Sequence, residues 1–162
     1  MNRMQNAVVT ACALIACAAN AQSYPVAGRP VRVVVPTAPS GGNDFMARII
    51  SQKMTERLKV SVIVDNKAGG NGAIGSEAVA RAPADGYTLL FVYIATHAIN
   101  PALQKLAYDP LADFAPITQV AEAQNVLVVH PSLRVKTVKE FIALAKTRGD
   151  SLSYASAGNG TA

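Results

Sequence analysis

The sequence contains few residues suited to disulfide, redox or metal chemistry. Its 162 residues include no tryptophan and two cysteines, Cys12 and Cys17, both within the first 21 residues. The two histidines, His97 and His130, have no cysteine or paired carboxylates near them at the spacing of a metal site, so we expect a structural role for each. After residue 21 the sequence therefore predicts no disulfide, no metal site and no cofactor.

Long hydrophobic runs are also missing after residue 21, where no stretch approaches the roughly 18 to 20 apolar residues of a transmembrane helix. The amino terminus has a signal-peptide pattern, because Arg3 precedes an apolar run over residues 7–19 that is too short to span a bilayer. Small residues at Ala19 and Ala21 predict cleavage after Ala21. An alternative is a lipid anchor at Cys17, although Ile15 fits a lipobox poorly. The sequence predicts export to the periplasm or the cell exterior.

Clustered charge is the third absence. The formal net charge of +5 comes from 15 basic and 10 acidic residues that are scattered along the chain. A nucleic-acid partner would call for a basic cluster, so we expect none. A small positive excess gives weak support for anionic small ligands through long-range attraction.

What the sequence does contain is a repeated order of strand, loop and helix, which is typical of a parallel sheet covered by helices. Strands are predicted at residues 31–35, 60–64, 88–94, 117–120, 126–129 and 152–155. Helices are predicted from near Asn43 through Leu58 and at 74–82, 101–106 and 138–146, the last begun by a capping box of Thr137 and Glu140. The predicted fold class is α/β.

The last predicted strand leads into a glycine-rich loop at residues 156–161, and the sequence stops at Ala162. Each earlier loop of this kind leads to a helix that covers the sheet, and a sheet left bare on one face is unstable. We therefore expect either a truncated open reading frame or a fragmentary sequence, with a longer sequence that continues beyond Ala162.

Residues 70–75, Gly-Asn-Gly-Ala-Ile-Gly, match the G-x-G-x-x-G pattern of dinucleotide-binding loops. Such a site needs an acidic residue at the end of the next strand, where this chain has Tyr93 and Ile94. We expect a tight turn with close helix packing instead. Nucleophilic catalysis is poorly supported too, because neither Ser40 nor Ser156 lies in a G-x-S-x-G motif.

The loops at residues 36–44 and 156–161 follow predicted strands, at the end of an open α/β sheet where ligands bind. Glycines let the backbone approach a ligand, and free amides at a helix start favour an anion. The alternative is that both loops are only short connections.

The first of these loops, Val35-Pro36-Thr37-Ala38-Pro39-Ser40-Gly41-Gly42-Asn43-Asp44, is followed by Ala47-Arg48. Further motifs follow in order at residues 66–75, 85–89, 96–101, 108–110, 113–117, 128–132 and 154–161. Together they cover nearly the whole chain after the leader. This set resembles the substrate-binding proteins of tripartite tricarboxylate transporters, also called Bug-type receptors.

The resemblance implies a type II periplasmic-binding-protein fold with two lobes, in which backbone amides from both lobes hold a ligand carboxylate and no catalysis occurs. Residues 22–113 would form lobe one, and residues 114–162 the start of a truncated lobe two. Family chains are about twice as long, which also favours truncation. One lobe alone is expected to bind weakly, since a micromolar complex requires about 8 kcal/mol and one hydrogen bond to a charged group contributes roughly 1.5 to 3.

Carried over position by position, the resemblance implies three groups of ligand-binding residues. Ser40, Gly41 and Gly42 would supply amides, and Asp44 would either reach an amino or hydroxyl group of the ligand or stabilise its helix start. Thr37 departs from the aromatic residue of many relatives, which leaves the ligand size open. The full predicted set is Thr37, Ala38, Ser40, Gly41, Gly42 and Asp44 in the first loop, Thr96, His97 and Ala98 in the cleft wall, and Ser156, Ala157, Gly158 and Thr161 in lobe two.

The function implied is a monomeric periplasmic receptor that delivers a small carboxylate to membrane transporter subunits. One alternative is a sensor that signals to a membrane kinase. Another is an exported enzyme that depends on Ser156, His97 or Asp44. The ligand itself stays open among citrate-like, dicarboxylic, amino-acid and aromatic acids, because amides recognise the carboxylate that all of these share.

Overall fold

A computed structural model describes residues 24–124 and 126–155. The predicted leader, with its cleavage site at Ala21 and the alternative anchor at Cys17, lies outside these residues, as does the predicted loop at 156–161. Within the described ranges, no helix is both long enough and apolar enough to cross a membrane.

Three parallel strands form one sheet: β1 (Val31–Val35), β2 (Val62–Asn66) and β3 (Thr88–Leu90), in the order β2-β1-β3. β1 pairs with β2 along its whole length, from Val31 opposite Val62 to Val35 opposite Asn66. β3 pairs with the other side of β1. Parallel neighbours need a crossover connection, and a helix lies in each one. The α/β class predicted from the sequence is confirmed.

Two helices cover opposite faces of this sheet: α1 (Gly42–Leu58) and α2 (Ala73–Ala80). Val33 and Val35 pack against Ala47 of α1. Val34 belongs to the other face, because successive strand residues alternate, and it shares a groove with Ala78 of α2. β1 is therefore the buried centre of a three-layer arrangement.

The glycine-rich segment forms a 3-10 turn, Gly70–Gly72, that leads directly into α2. Gly75 lies so close to the sheet that an added Cβ would be 2.8 Å from the Lys67 carbonyl oxygen and 3.0 Å from Pro36 Cα. Since both neighbours are backbone atoms, a side chain here would push α2 off the sheet. The prediction of a tight turn with close helix packing is confirmed.

The remaining described elements are short. A π-helical turn (Ala95–Ile99) runs into α3 (Asn100–Leu103), and a 3-10 turn (Pro131–Leu133) is followed by α4 (Val138–Arg148) and the 3-10 turn Gly149–Ser151. The predicted capping box is confirmed, since the Glu140 amide donates to Thr137 Oγ1 and the Thr137 amide donates to Glu140 Oε2.

Three predicted strands are wrong. Residues 117–120, 126–129 and 152–155 form no strand, although they are rich in residues that favour β structure. Such residues form a strand only when a neighbouring strand supplies hydrogen bonds and side-chain contacts. No described strand pairs with these segments, and Val128 is 81% exposed.

Two strand boundaries also differ from the sequence prediction. β2 runs from Val62 to Asn66 instead of residues 60–64, because pairing with β1 sets its register. β3 ends at Leu90 instead of residue 94, because the chain turns where the amide and hydroxyl of Thr96 both donate to the Tyr93 carbonyl oxygen. The helices predicted at 74–82 and 101–106 are Ala73–Ala80 and Asn100–Leu103.

Candidate ligand-binding site

The strand order places the switch point of the sheet, where open α/β sheets form a ligand-binding crevice, at the carboxyl ends of β1 and β3. The chain passes from β1 to β2 on one side and then from β2 to β3 on the other, so the two connections diverge between β1 and β3. Ligands of open α/β sheets bind at such a switch point. The loop at residues 36–41 and the turn after β3 meet here, since Gly72 lies against both Pro36 and Thr96.

The first loop presents its glycine amides at the start of α1. Gly41 is the N-cap and has no side-chain capping bond, and both Gly41 and Gly42 are exposed. Among the described residues, neither amide donates a hydrogen bond to another group. Free amides at the positive end of a helix dipole favour a negatively charged group. The predicted position of this loop at a strand end is confirmed.

The Ser40 amide, which the resemblance assigns to the ligand, has a partner within the chain. The Ser40 amide donates to Asp44 Oδ2 at 2.9 Å, so this amide is engaged within the chain. Asp44 Oδ2 also accepts from Arg48 Nε at 2.9 Å, and Asp44 Oδ1 accepts from Asn66 Nδ2 at 2.9 Å. The Asp44 side chain is 5% exposed. Of its two predicted roles, the structure therefore supplies the partners for a structural one.

These contacts also set the ionisation of Asp44. The hydrogen bond from Arg48, followed by those from Ser40 and Asn66, lowers the pKa of the Asp44 carboxyl from 3.8 to about 2. The carboxylate is therefore charged at neutral pH, and the Arg48 guanidinium beside it compensates that charge.

The lowered pKa predicts that Asp44 stabilises the fold less in acid. Because the folded state holds this proton less tightly than the unfolded chain, the stabilisation is complete above about pH 5 and is lost as the pH falls through 3.8 towards about 2. We expect the Tm difference between wild type and Asp44→Asn to be constant from about pH 8 to 5 and to shrink below about pH 4. Thermal unfolding followed by circular dichroism measures it. An unchanged difference in strong acid would contradict the ionised, bonded carboxylate.

Thr37 and Ala38 lie beside the glycines. Ala38 is exposed, and Thr37 is half-buried with its backbone oxygen accepting from Asn66 Nδ2 at 3.2 Å. The Thr37 hydroxyl is buried and has no hydrogen-bond partner among the described residues. The structure thus places both residues in the loop at the end of β1, as the sequence predicted.

The second predicted group, Thr96 to Ala98, contains one residue that is buried and hydrogen-bonded within the chain. Thr96 is completely buried, and its hydroxyl bonds to the Tyr93 carbonyl oxygen and to His97 Nδ1, each at 2.9 Å. Its carbonyl oxygen accepts from the Tyr108 hydroxyl at 2.7 Å. Ala98 is exposed. Ala98, unlike Thr96, is therefore accessible to a ligand.

His97 packs among aromatic rings. Its ring centroid lies 4.8 Å from that of Phe114 in an edge-to-face arrangement and 6.1 Å from that of Tyr108. Burial lowers the pKa of the His97 imidazole, so the ring is neutral at pH 7. Its Nε2 atom is buried without a hydrogen-bond partner among the described residues. These contacts fit the structural role expected for this histidine. His130 likewise has a local role, since its Nδ1 accepts from the Ser132 amide.

Sequence reasoning missed a group of side chains that fixes the same end of the sheet. The Tyr93 hydroxyl donates to the Asn71 carbonyl oxygen at 3.1 Å, and burial raises the pKa of this phenol. Asn71 Nδ2 donates to Asn100 Oδ1, and Asn100 Nδ2 donates back to the Asn71 carbonyl oxygen, each at 2.9 Å. Asn71 has a positive φ of 54°. Asparagine between two glycines was the available signal, because asparagine tolerates left-handed backbone.

The predicted residues of the second loop, Ser156, Ala157, Gly158 and Thr161, lie outside the described residues. Their place relative to the first loop is therefore still a prediction. In residues 24–124 and 126–155, no group of three or more histidine, cysteine or acidic side chains is arranged to hold a metal ion.

A groove of about 560 Å³ lies elsewhere, on the α2 face of the sheet. Its cations already have partners: Arg29 pairs with Asp85 and lies over the Tyr87 ring, while Arg32 and Lys67 both lie near Asp65. None of the predicted site residues lines it. The crevice at the carboxyl ends of β1 and β3 is the better candidate for ligand binding.

Comparison with known proteins identifies the family of this chain. The family model of the tripartite tricarboxylate transporter family receptor matches residues 46–162. A UPF0065 protein from the tcbD–tcbE intergenic region of Pseudomonas sp. strain P51 is 40% identical over 133 residues, which are 82% of this chain and 40% of that protein. Protein BugT of Bordetella pertussis is 35% identical over 150 residues, 91% of this chain and 45% of BugT. The chain spans less than half the length of these relatives.

Two solved structures share both fold and sequence with the chain. MatC from Rhodopseudomonas palustris, with bound malate, has a TM-score of 0.70 and 34% identity, over 78% of this chain and 44% of MatC. R. palustris Rpa4515, with adipate, has a TM-score of 0.71 and 34% identity, over 80% of this chain and 43% of that protein.

Proposed function

Because this chain belongs to the tripartite tricarboxylate transporter family of receptors, we propose that it captures a small carboxylate in the periplasm and delivers it to membrane transporter subunits. The described residues have the α/β fold of part of a periplasmic binding protein. The predicted leader, cleaved after Ala21, would provide export. The receptor would act as a monomer and without catalysis.

The observation that carries this proposal is the pair of exposed amides at Gly41 and Gly42. They lie at the start of a 17-residue helix and at the carboxyl end of the most buried strand. An oxyanion placed there would accept hydrogen bonds and interact with the positive end of the helix dipole. A carboxylate fits this arrangement, and the glycines leave room for it to approach.

The class of ligand is supported by the two solved relatives. One holds malate and the other adipate, both of them small dicarboxylates. We propose a dicarboxylate of this size as the first class to test. The Thr37 side chain, in place of an aromatic residue, would leave more space beside the amides.

A second lobe is part of the proposal. Residues 22–113 would form lobe one, and residues from 114 onwards would begin lobe two, where Ser156, Ala157, Gly158 and Thr161 would supply the opposite amides. The requirement is energetic, because a micromolar complex needs about 8 kcal/mol and each hydrogen bond to a charged group contributes roughly 1.5 to 3 kcal/mol. The few amides of one loop do not reach that total after the entropy of capture is subtracted.

Ligand-induced thermal stabilisation tests the proposed function. We expect at least one acid among malate, succinate, adipate, citrate, glutamate and benzoate to raise the Tm of the protein completed with its proposed second lobe by about 5 °C or more when present at about 100 times its Kd, which corresponds to about 2.7 kcal/mol. Adipamide, which lacks the carboxylates, serves as the control and is expected to give no shift. A panel in which no acid shifts the Tm would contradict carboxylate capture.

A further inference from the structure

Three polar side chains beside the first loop form a closed ring of hydrogen bonds. Arg48 Nε donates to Asp44 Oδ2 at 2.9 Å, Arg48 Nη2 donates to Asn66 Oδ1 at 3.1 Å, and Asn66 Nδ2 donates to Asp44 Oδ1 at 2.9 Å. Asp44 and Arg48 are one turn apart on α1, whereas Asn66 is the last residue of β2. The ring therefore ties the first turns of α1 to the end of a neighbouring strand.

The same ring holds both ends of the loop between β1 and α1. Asp44 Oδ2 accepts from the Ser40 amide at 2.9 Å, and Asn66 Nδ2 donates to the Thr37 carbonyl oxygen at 3.2 Å. Ser40 has a φ of 71°, in the left-handed region that a residue with a Cβ rarely adopts. Gly41 and Gly42, which follow it, have no side chains to fix their own positions. Their orientation therefore depends on the bonds made to Thr37 and Ser40.

Asp44 is poorly placed to touch a ligand. Both of its oxygens accept hydrogen bonds from the chain, and the side chain is 5% exposed. A second carboxylate close by would also be repelled by an unpaired Asp44, but Arg48 compensates the charge. A carboxylate can therefore approach the amides while Asp44 remains in place.

We infer that Asp44, Arg48 and Asn66 position the Gly41 and Gly42 amides for the ligand carboxylate without contacting the ligand. This inference rests on the proposed function. It makes a specific prediction about selectivity. Since the amides contact the carboxylate that all candidate ligands share, loss of the ring lowers the affinity for every carboxylate ligand by the same factor. If Asp44 instead contacted a ligand hydroxyl or amino group directly, its loss would lower the affinity only for ligands that carry such a group.

Asp44→Asn separates these possibilities, because asparagine keeps the shape of the side chain and removes its charge. The ligand pairs malate–succinate and glutamate–glutarate each differ by one hydroxyl or amino group. By calorimetry well below the Tm, with the protein completed with its proposed second lobe, we expect affinity for both members of a bound pair to fall at least tenfold in the variant, with their ratio unchanged. A loss confined to malate or glutamate would overturn the inference in favour of direct contact. Unchanged affinities would overturn it in favour of a purely stabilising role.

Two further variants control this experiment. Asp109→Asn removes a carboxylate that also holds loop amides, those of Leu111 and Ala112, but bonds to none of the predicted site residues, so we expect no change in affinity. Asn66→Ala removes the bonds to Thr37 and to Asp44 Oδ1 while it keeps the Asp44–Arg48 pair. It is expected to give a smaller loss of affinity with the same uniform pattern, and it substitutes for Asp44→Asn if that variant does not fold.

Hydrogen exchange tests the inference without any ligand. We expect the backbone amide of Ser40, which bonds to Asp44 in wild type, to exchange faster in Asp44→Asn than in wild type, and to exchange at the wild-type rate in Asp109→Asn. Unchanged exchange in Asp44→Asn overturns the inference whether or not a carboxylate binds. Wild-type protein that binds no carboxylate overturns the proposed function, and the exchange result still decides whether the ring holds the loop.

Discussion

Replacing Gly42 with alanine is expected to weaken carboxylate binding at least tenfold, about 1.4 kcal/mol, without lowering the free energy of unfolding. An added Cβ at Gly42 meets no other atom within 4 Å, so the fold itself has room for it. Gly42 is the first residue of α1, where alanine favours the helix more than glycine does. The added methyl group would instead occupy the space through which a carboxylate approaches the Gly42 amide. Calorimetry and urea unfolding measure the two quantities.

Gly149→Ala is the matched control for this substitution. An added Cβ at Gly149 also meets nothing within 4 Å, but its φ of 51° makes a side chain unfavourable there. We expect the opposite pattern, with a lower free energy of unfolding, by about 1 kcal/mol, and unchanged affinity. If Gly42→Ala protein bound a carboxylate as tightly as wild type, the first loop would not be part of the binding site.

The largest loss of stability is expected for Gly72→Val. Gly72 is buried with a φ of 88°, and its Cβ would lie 2.6 Å from Thr96 Cγ2 and 3.2 Å from the Pro36 carbonyl oxygen. The left-handed backbone costs roughly 1 to 2 kcal/mol for a residue with a Cβ, and overpacking adds about 1 to 3. We therefore expect the free energy of unfolding to fall by about 2 to 5 kcal/mol in urea titrations.

Gly70→Val separates these two costs. Gly70 also has a positive φ, of 55°, but its Cβ would lie 3.4 Å from Ala73 Cβ, an ordinary contact distance. Both substitutions therefore carry the cost of the left-handed backbone, whereas only Gly72→Val carries the cost of overpacking. If both variants lost the same stability, the close approach of Gly72 to Pro36 and to Thr96 would be contradicted.

The sequence predicted the elements whose own residues determine them. β1 has four valines and one arginine and is closed by Pro36, and α1 has apolar residues at helical spacing from Phe45. The capping box at Thr137 is equally local. The strands predicted at 117–120, 126–129 and 152–155 failed because strand formation depends on a partner elsewhere in the chain, and a single segment carries no information about that partner.

In the candidate site, too, the sequence predicted the local features and missed those that depend on other segments. The loop at residues 36–44 was predicted because strand ends and glycines are visible in the sequence. The bond from the Ser40 amide to Asp44 was not, since it depends on the left-handed backbone of Ser40. The spacing of Asp44 and Arg48 suggests an ion pair on one helix face. The third member, Asn66, joins them only because the register of β2 sets it opposite Val35.

Contacts between distant segments explain the residues that were missed. Asn71 lies in the Gly70–Gly72 turn, Tyr93 in the segment after β3, and Asn100 at the start of α3, and no spacing pattern links them in the sequence. They meet because Gly72 and Gly75 allow α2 to approach the sheet closely. The fold thus brings together side chains whose roles cannot be read from any one segment.

Calorimetric titration with malate and adipate tests the central claim, capture of a carboxylate between two lobes, most directly. Two proteins are compared: residues 22–162 alone, and a form of the protein completed with the proposed second lobe. A two-lobed receptor is expected to bind a carboxylate with micromolar affinity, whereas residues 22–162 alone are expected to show no such affinity. Micromolar binding by residues 22–162 alone would contradict the need for a second lobe.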